Sequence, residues 1–153
     1  MSFKQVWGPS AIERGVGGSE EAAIYLSREL SERGYCVTVY GNPATEEWGL
    51  DASSGVSWYP FYAFHPTGTD TDVFVSWRNW DAPWLSSRAD QKYLWVHDPL
   101  ALESDQEYFT QGYLDNLEGI FVLSDYSASQ FPPQVRSLIS DCILATGSPR
   151  PKT

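Results

Sequence analysis

Gly15-Val16-Gly17-Gly18-Ser19-Glu20, followed one helix length later by Gly34-Tyr35-Cys36-Val37-Thr38-Val39-Tyr40-Gly41, decides the fold of this chain. Between the two runs, Ala22, Ala23, Leu26 and Leu30 recur at helical spacing. Ser19 is the expected N-cap and Gly34 the expected C-terminal stop. Residues 35–40 then read as a buried strand, ended by Gly41-Asn42-Pro43. Glycine lets the backbone take φ > 0 and lets a ligand approach the main chain. The first N–H groups of a helix lack internal partners, and the helix dipole is positive there. A Gly-rich turn feeding a helix is therefore a candidate anion site, most often for phosphate. It is not a Walker loop, because no Gly-Lys-Ser/Thr follows. Nor is it the dinucleotide fingerprint, because Glu20 stands where the last glycine belongs.

The rest of the chain continues the alternation. Residues 56–59, 72–76, 92–96 and 119–123 read as short strands, and 83–88, 106–114 and 124–130 as helices. Ser124 is the expected cap of the last helix, Pro132-Pro133 break it, a further turn runs to Ser140, and residues 142–144 read as a final strand. Residues 42–55 and 61–70 read as irregular. Short apolar strands alternating with helices predict an α/β fold: a doubly wound, Rossmann-like, mostly parallel sheet of roughly five to seven strands. Such sheets bind ligands at the C-terminal ends of their strands. The Gly-rich turn, Trp77-Arg78-Asn79, His97-Asp98 and Ser124-Asp125-Tyr126 all stand at such ends, so convergence on one crevice is expected.

At 153 residues the chain has the size of one domain with a sizeable core. A net charge of −10 argues against nucleic acid or an anionic membrane as partner, since both need Lys/Arg clusters. No run reaches the ~18 apolar residues of a membrane-spanning helix. Residues 1–5 lack an apolar signal core, so the chain reads as cytoplasmic. Cys36 and Cys142 lie in apolar runs without metal-ligand spacing and are expected to be buried thiols. Several tryptophans (Trp7, Trp48, Trp77, Trp80, Trp84) stand outside strand centres, where flat rings suit sugars but also simply pack. No Gly-x-Ser-x-Gly elbow points to serine hydrolysis.

Gly17-Gly18-Ser19-Glu20-Glu21-Ala22-Ala23, Leu26-Ser27-Arg28-Glu29-Leu30, Arg33-Gly34-Tyr35, Val37-Thr38-Val39-Tyr40-Gly41, Leu94-Trp95-Val96-His97-Asp98 and Phe121-Val122-Leu123-Ser124-Asp125-Tyr126 follow one another in an order that resembles the N-terminal, acceptor-side domain of GT-B glycosyltransferases. The similarity is to the retaining group that includes glycogen-synthase-like and mannosyltransferase-like enzymes. It implies one half of a GT-B fold over residues 1–148, with residues 149–153 as the start of an interdomain linker or a tail. It also implies transfer of a sugar from a nucleotide-sugar to an acceptor hydroxyl, with no catalytic metal and no cofactor beyond that co-substrate. Two features depart from the family. The apolar strand before the Gly-rich turn is reduced to residues 3–7, interrupted by Lys4 and Gln5, so it is expected to be short, displaced or absent. The donor-binding second domain, with its glutamate pair, is absent from the chain. The expectation is therefore either a fragment or one of two separate chains, inactive in isolation and open to homo-oligomerisation.

The resemblance implies that His97 lies near the sugar–phosphate junction of the donor. Its chemistry fits, since an imidazole can bond a hydroxyl or a phosphate oxygen, yet a histidine packed at a strand end would look the same. Asp98 is a candidate for orienting an acceptor hydroxyl, or forms a turn before Pro99. Gly17 and Gly18 are candidate backbone donors to a phosphate or sugar hydroxyl, or make a bare tight turn. Glu20 beside them would repel phosphate and reads as support for the helix start. Arg78, flanked by Trp77 and Trp80, is a candidate for an acceptor carboxylate, phosphate or sugar, or a stacked surface arginine. Ser124 is a substrate-contact candidate or a helix cap. The rival class is a non-catalytic module that binds carbohydrate or phosphate or docks a partner.

Overall fold

The computed structural model describes residues 5–65, 68, 70–85, 88–98 and 109–140, in two compact units divided between His65 and Pro66. In the first unit, α1 (Ala11–Arg14) and α2 (Gly18–Glu32) precede β1 (Thr38–Gly41), β2 (Gly49–Asp51) and β3 (Val56–Pro60). Gly34, at φ 94°, ends α2: its N–H donates to Ser31 O and that of Tyr35 to Leu30 O. This double bond pattern is the Schellman motif, and it satisfies carbonyls that the helix leaves open. The N-terminus differs from expectation. Gly17 is the N-cap and Ser19 lies inside the first turn, with no side-chain cap.

The sheet of the first unit is mixed, in the order β1-β3-β2. β1 pairs parallel with β3, and β2 antiparallel. β2 falls in the stretch expected to be loop; three residues carry too little periodicity to announce a strand. It is joined to β3 by a turn in which Asp51 accepts from the hydroxyls of Ser53 and Ser54 and from the Ser53 amide. Those bonds hold the Asp51 carboxyl below its usual range, against the burial that pushes it up. Ile24 of α2, Val56 and Trp58 are fully buried, and Trp7 stands edge-on to Trp58 with ring centroids 5.9 Å apart. Trp7 makes one isolated antiparallel bridge to Asn42, which is all the pairing residues 5–10 offer in place of a first strand. Cys36 is exposed, not buried: it lies in the loop after the Schellman turn, before β1 begins.

The second unit alternates β4 (Thr71–Trp77), α3 (Asp81–Leu85), β5 (Ala89–Trp95), α4 (Gln111–Leu114), β6 (Gly119–Phe121), α5 (Asp125–Ser129) and β7 (Ile139–Ser140), with a 3-10 turn at Pro133–Leu138. Among the described residues its four strands are all parallel, in the order β4-β5-β6-β7. Leu94 and Ile120 from the sheet meet Tyr113, Leu114, Phe131 and Val135 in one buried cluster. Tyr113 OH donates to Trp80 O at 2.6 Å, and Asn116 Nδ2 to Pro83 O at 2.6 Å, tying the α4 region to α3. The architecture is α/β with mostly parallel pairing. The strand expected at residues 142–144, with Cys142, lies outside the described residues, as do residues 106–108 of the expected helix.

Gly55 closes the β2–β3 turn at φ 73°, and a Cβ there would lie 2.8 Å from Ser31 Oγ of α2. Gly55→Ala therefore combines a left-handed backbone with a clash. It is expected to destabilise the protein by about 1–2 kcal/mol, read as a lower urea midpoint. Gly18→Ala, at a position with nothing within 4 Å of an added Cβ, is the comparator expected to leave the midpoint unchanged or raised.

Candidate functional site

Parallel pairing sets Trp77 opposite Trp95 and Trp95 opposite Phe121, so three strands of the second unit end at one level. The residues after each end form the site. The ladder continues one step further, with Arg78 N–H donating to Trp95 O and Val96 N–H to Phe121 O, both at 2.9 Å. Arg78 itself has φ 58°, the left-handed region, and is the sole non-glycine to do so among the described residues. Such a backbone costs on the order of 1–3 kcal/mol and persists only where neighbours impose it. The kink is imposed by the buried Ser76 hydroxyl, which donates to Asn79 O, and by Asn79 Oδ1, which accepts from the amides of Asp81 and Ala82 at the start of α3.

The kink aims the Arg78 guanidinium at Asp98. Nε donates to Oδ2 at 2.7 Å and Nη2 to Oδ1 at 2.9 Å, a two-pronged ion pair. The same guanidinium lies 5.3 Å from the Trp77 ring centroid. Trp80, expected to flank Arg78, instead packs with Phe109 and Phe131 against the core.

His97 sits between two indoles, with ring centroids 4.5 Å from Trp95 and 6.0 Å from Trp77. Burial, and then the nearby positive charge of Arg78, lower its pKa to about 4; Asp98 pulls the other way and loses. The imidazole is therefore neutral at pH 7. Its Nε2 is buried and has no hydrogen-bond partner among the described residues, and the same holds for Trp95 Nε1. Beside it opens a cleft of about 90 Å³, lined by Val96, His97, Asp98, Tyr126, Ser127, Gln130 and Phe131. A larger cleft of about 260 Å³ is lined by Phe109, Thr110, Pro132 and Gln134, none of them titratable.

The structure thus brings Arg78, His97 and Asp98 together. Ser124 stands nearby as the N-cap of α5: its Oγ accepts from Ser127 N at 3.1 Å and lies 3.0 Å from Ser127 Oγ. The serine that lines the cleft is Ser127. Ser127 and Gln130 escaped the sequence reading because polar residues on a short helix carry no sign of what they face. Gly17 and Gly18 belong to the first unit and start α2. Neither takes φ > 0; Gly15 does, at 78°. The Glu20 carboxylate folds back over this helix start, where a Cβ on Gly17 would meet Glu20 Oε2 at 2.5 Å. A negative charge of the protein's own therefore stands where an external anion would bind.

Among the described residues, no three His, Cys, Asp or Glu side chains cluster as metal ligands would. No helix among them is long and apolar enough to cross a membrane. No family model, no curated protein and no solved structure matches this chain.

The His97 pKa has a consequence for stability. Unfolding returns the imidazole to its ordinary pKa of 6.5, so between about pH 6.5 and 4 the unfolded chain binds the additional proton. Stability is therefore expected to fall as pH drops through that window. His97→Gln should flatten the slope there and leave the loss below pH 3.8, to which Asp51 contributes, in place. Urea midpoints at stepped pH read both. An imidazole that titrates near 6.5 by NMR in the folded protein would refute the assignment.

Proposed function

We propose that this chain is the acceptor-side half of a nucleotide-sugar-dependent glycosyltransferase, with the doubly wound, Rossmann-like fold of a GT-B half. The nucleotide-sugar would be held chiefly by a second, donor-binding domain, and the acceptor hydroxyl would meet the strand ends of this one. The observation that carries the reading is the neutral His97 beside the Arg78–Asp98 pair, at the C-terminal ends of adjacent parallel strands and facing a cleft. Parallel α/β sheets bind ligands at such ends. The order of the sequence segments quoted above, His97 and Asp98 among them, supports it as well.

In this reading the neutral imidazole donates or accepts one hydrogen bond to a sugar hydroxyl, and its indole walls exclude water. Asp98 is held by Arg78 so that its carboxylate keeps one orientation toward the acceptor. Arg78 acts as a positioning residue rather than as the ligand contact expected of it. Ser124 fixes the start of α5, which carries Tyr126 and Ser127, with Gln130 at its C-cap, to the cleft.

The test uses this chain combined with a donor-binding half. His97→Ala is expected to lower turnover about a hundred- to thousandfold, the cost of one hydrogen bond to a developing charge, a much larger effect than its effect on stability. Turnover per folded molecule that stays near wild type while the melting temperature drops would return His97 to a packing role. It would then favour the non-catalytic binding module.

A further inference from the structure

Building on the reading of this site as a sugar site, we propose that the His97–Tyr126 cleft takes an uncharged, hydroxyl-bearing end of its ligand and rejects a phosphate or carboxylate there. Size sets the first limit. At about 90 Å³ the cleft has room for a few waters or one hydroxymethyl group, well short of the ~300 Å³ at which pockets begin to enclose whole ligands. One substituent of a sugar enters, and the ring stays outside.

Charge sets the second. His97, Tyr126, Ser127 and Gln130 line the cleft together with the apolar Val96 and Phe131, and Asp98 is its one charged lining residue among those described. Arg78, the cation paired with Asp98, does not line the cleft, and its Nε and Nη2 are both committed to that carboxylate. An entering anion shares the cleft with that carboxylate, in a chain whose net charge is −10. A hydroxyl suits the same wall. It can donate to the Asp98 carboxylate and exchange bonds with the Ser127 hydroxyl and the Gln130 amide that share the wall. An anion that took the place of Asp98 on Nε and Nη2 would leave that carboxylate beside a like charge.

The experiment is amide shift mapping on the chain with three probes at matched millimolar concentration: a methyl hexoside, the same hexoside as its 6-phosphate, and the corresponding uronate. The neutral probe is expected to shift the amides of His97, Tyr126, Ser127 and Gln130. The two anions should bind there about tenfold more weakly or worse, a modest like-charge penalty for a half-exposed carboxylate. Raising the salt concentration should narrow the gap by screening. Asp98→Asn, with its folding checked by its spectrum, should close most of it. Anions that bind as tightly as the neutral hexoside, or more tightly, overturn the charge selection while leaving a sugar site standing. If none of the probes shifts these amides, the sugar-site reading falls, and the selection with it.

Discussion

Parallel pairing of β4 with β5, and of β5 with β6, ends three strands at one level, and the candidate site depends on that alignment. Antiparallel neighbours would have sent Arg78 and His97 to opposite edges of the sheet. In the parallel sheet each strand delivers its next residues to the same rim. The hydrogen bonds from Arg78 to Trp95 and from Val96 to Phe121 extend the ladder just far enough to order those residues.

The Arg78–Asp98 pair contributes little to stability by itself. Both side chains keep access to water, at 26% and 54% exposure, and pairs of that kind contribute about 0–1 kcal/mol. The left-handed backbone at Arg78 costs more than that. The kink is therefore held by the Ser76–Asn79 bond and the start of α3, and the ion pair is a consequence of it. What the pair supplies is direction: a carboxylate fixed beside a neutral imidazole. The neutrality of that imidazole follows from two indoles and one guanidinium, which together outweigh the opposite pull of Asp98.

The first unit offers a different electrostatic solution. The open N–H groups at the start of α2 attract negative charge, and Glu20, three residues past the N-cap, brings it from within the helix. Gly17 leaves the space that this carboxylate occupies. That carboxylate accounts for Gly17 alone, since an added Cβ at Gly18 would meet nothing within 4 Å.

Local chemistry was legible in the sequence. The spacing of Ala22, Ala23, Leu26 and Leu30, the stop at Gly34 and the cap at Ser124 all rest on interactions within a few residues, and the structure contains each helix and its end. The alternation of strands and helices announced an α/β chain with mostly parallel pairing. The position of His97 and Asp98 at a strand end was equally readable. The partners of those residues were decided by tertiary structure. Asp98 meets Arg78 across twenty positions of chain. Trp80 turns into the core instead of toward Arg78, Cys36 lies exposed in a loop, and Ser127 rather than Ser124 faces the cleft. Propensity and periodicity act over one or two turns of chain, whereas the desolvation of His97 and the pairing of its neighbours depend on which strand ends are stacked side by side, and only the folded sheet sets that.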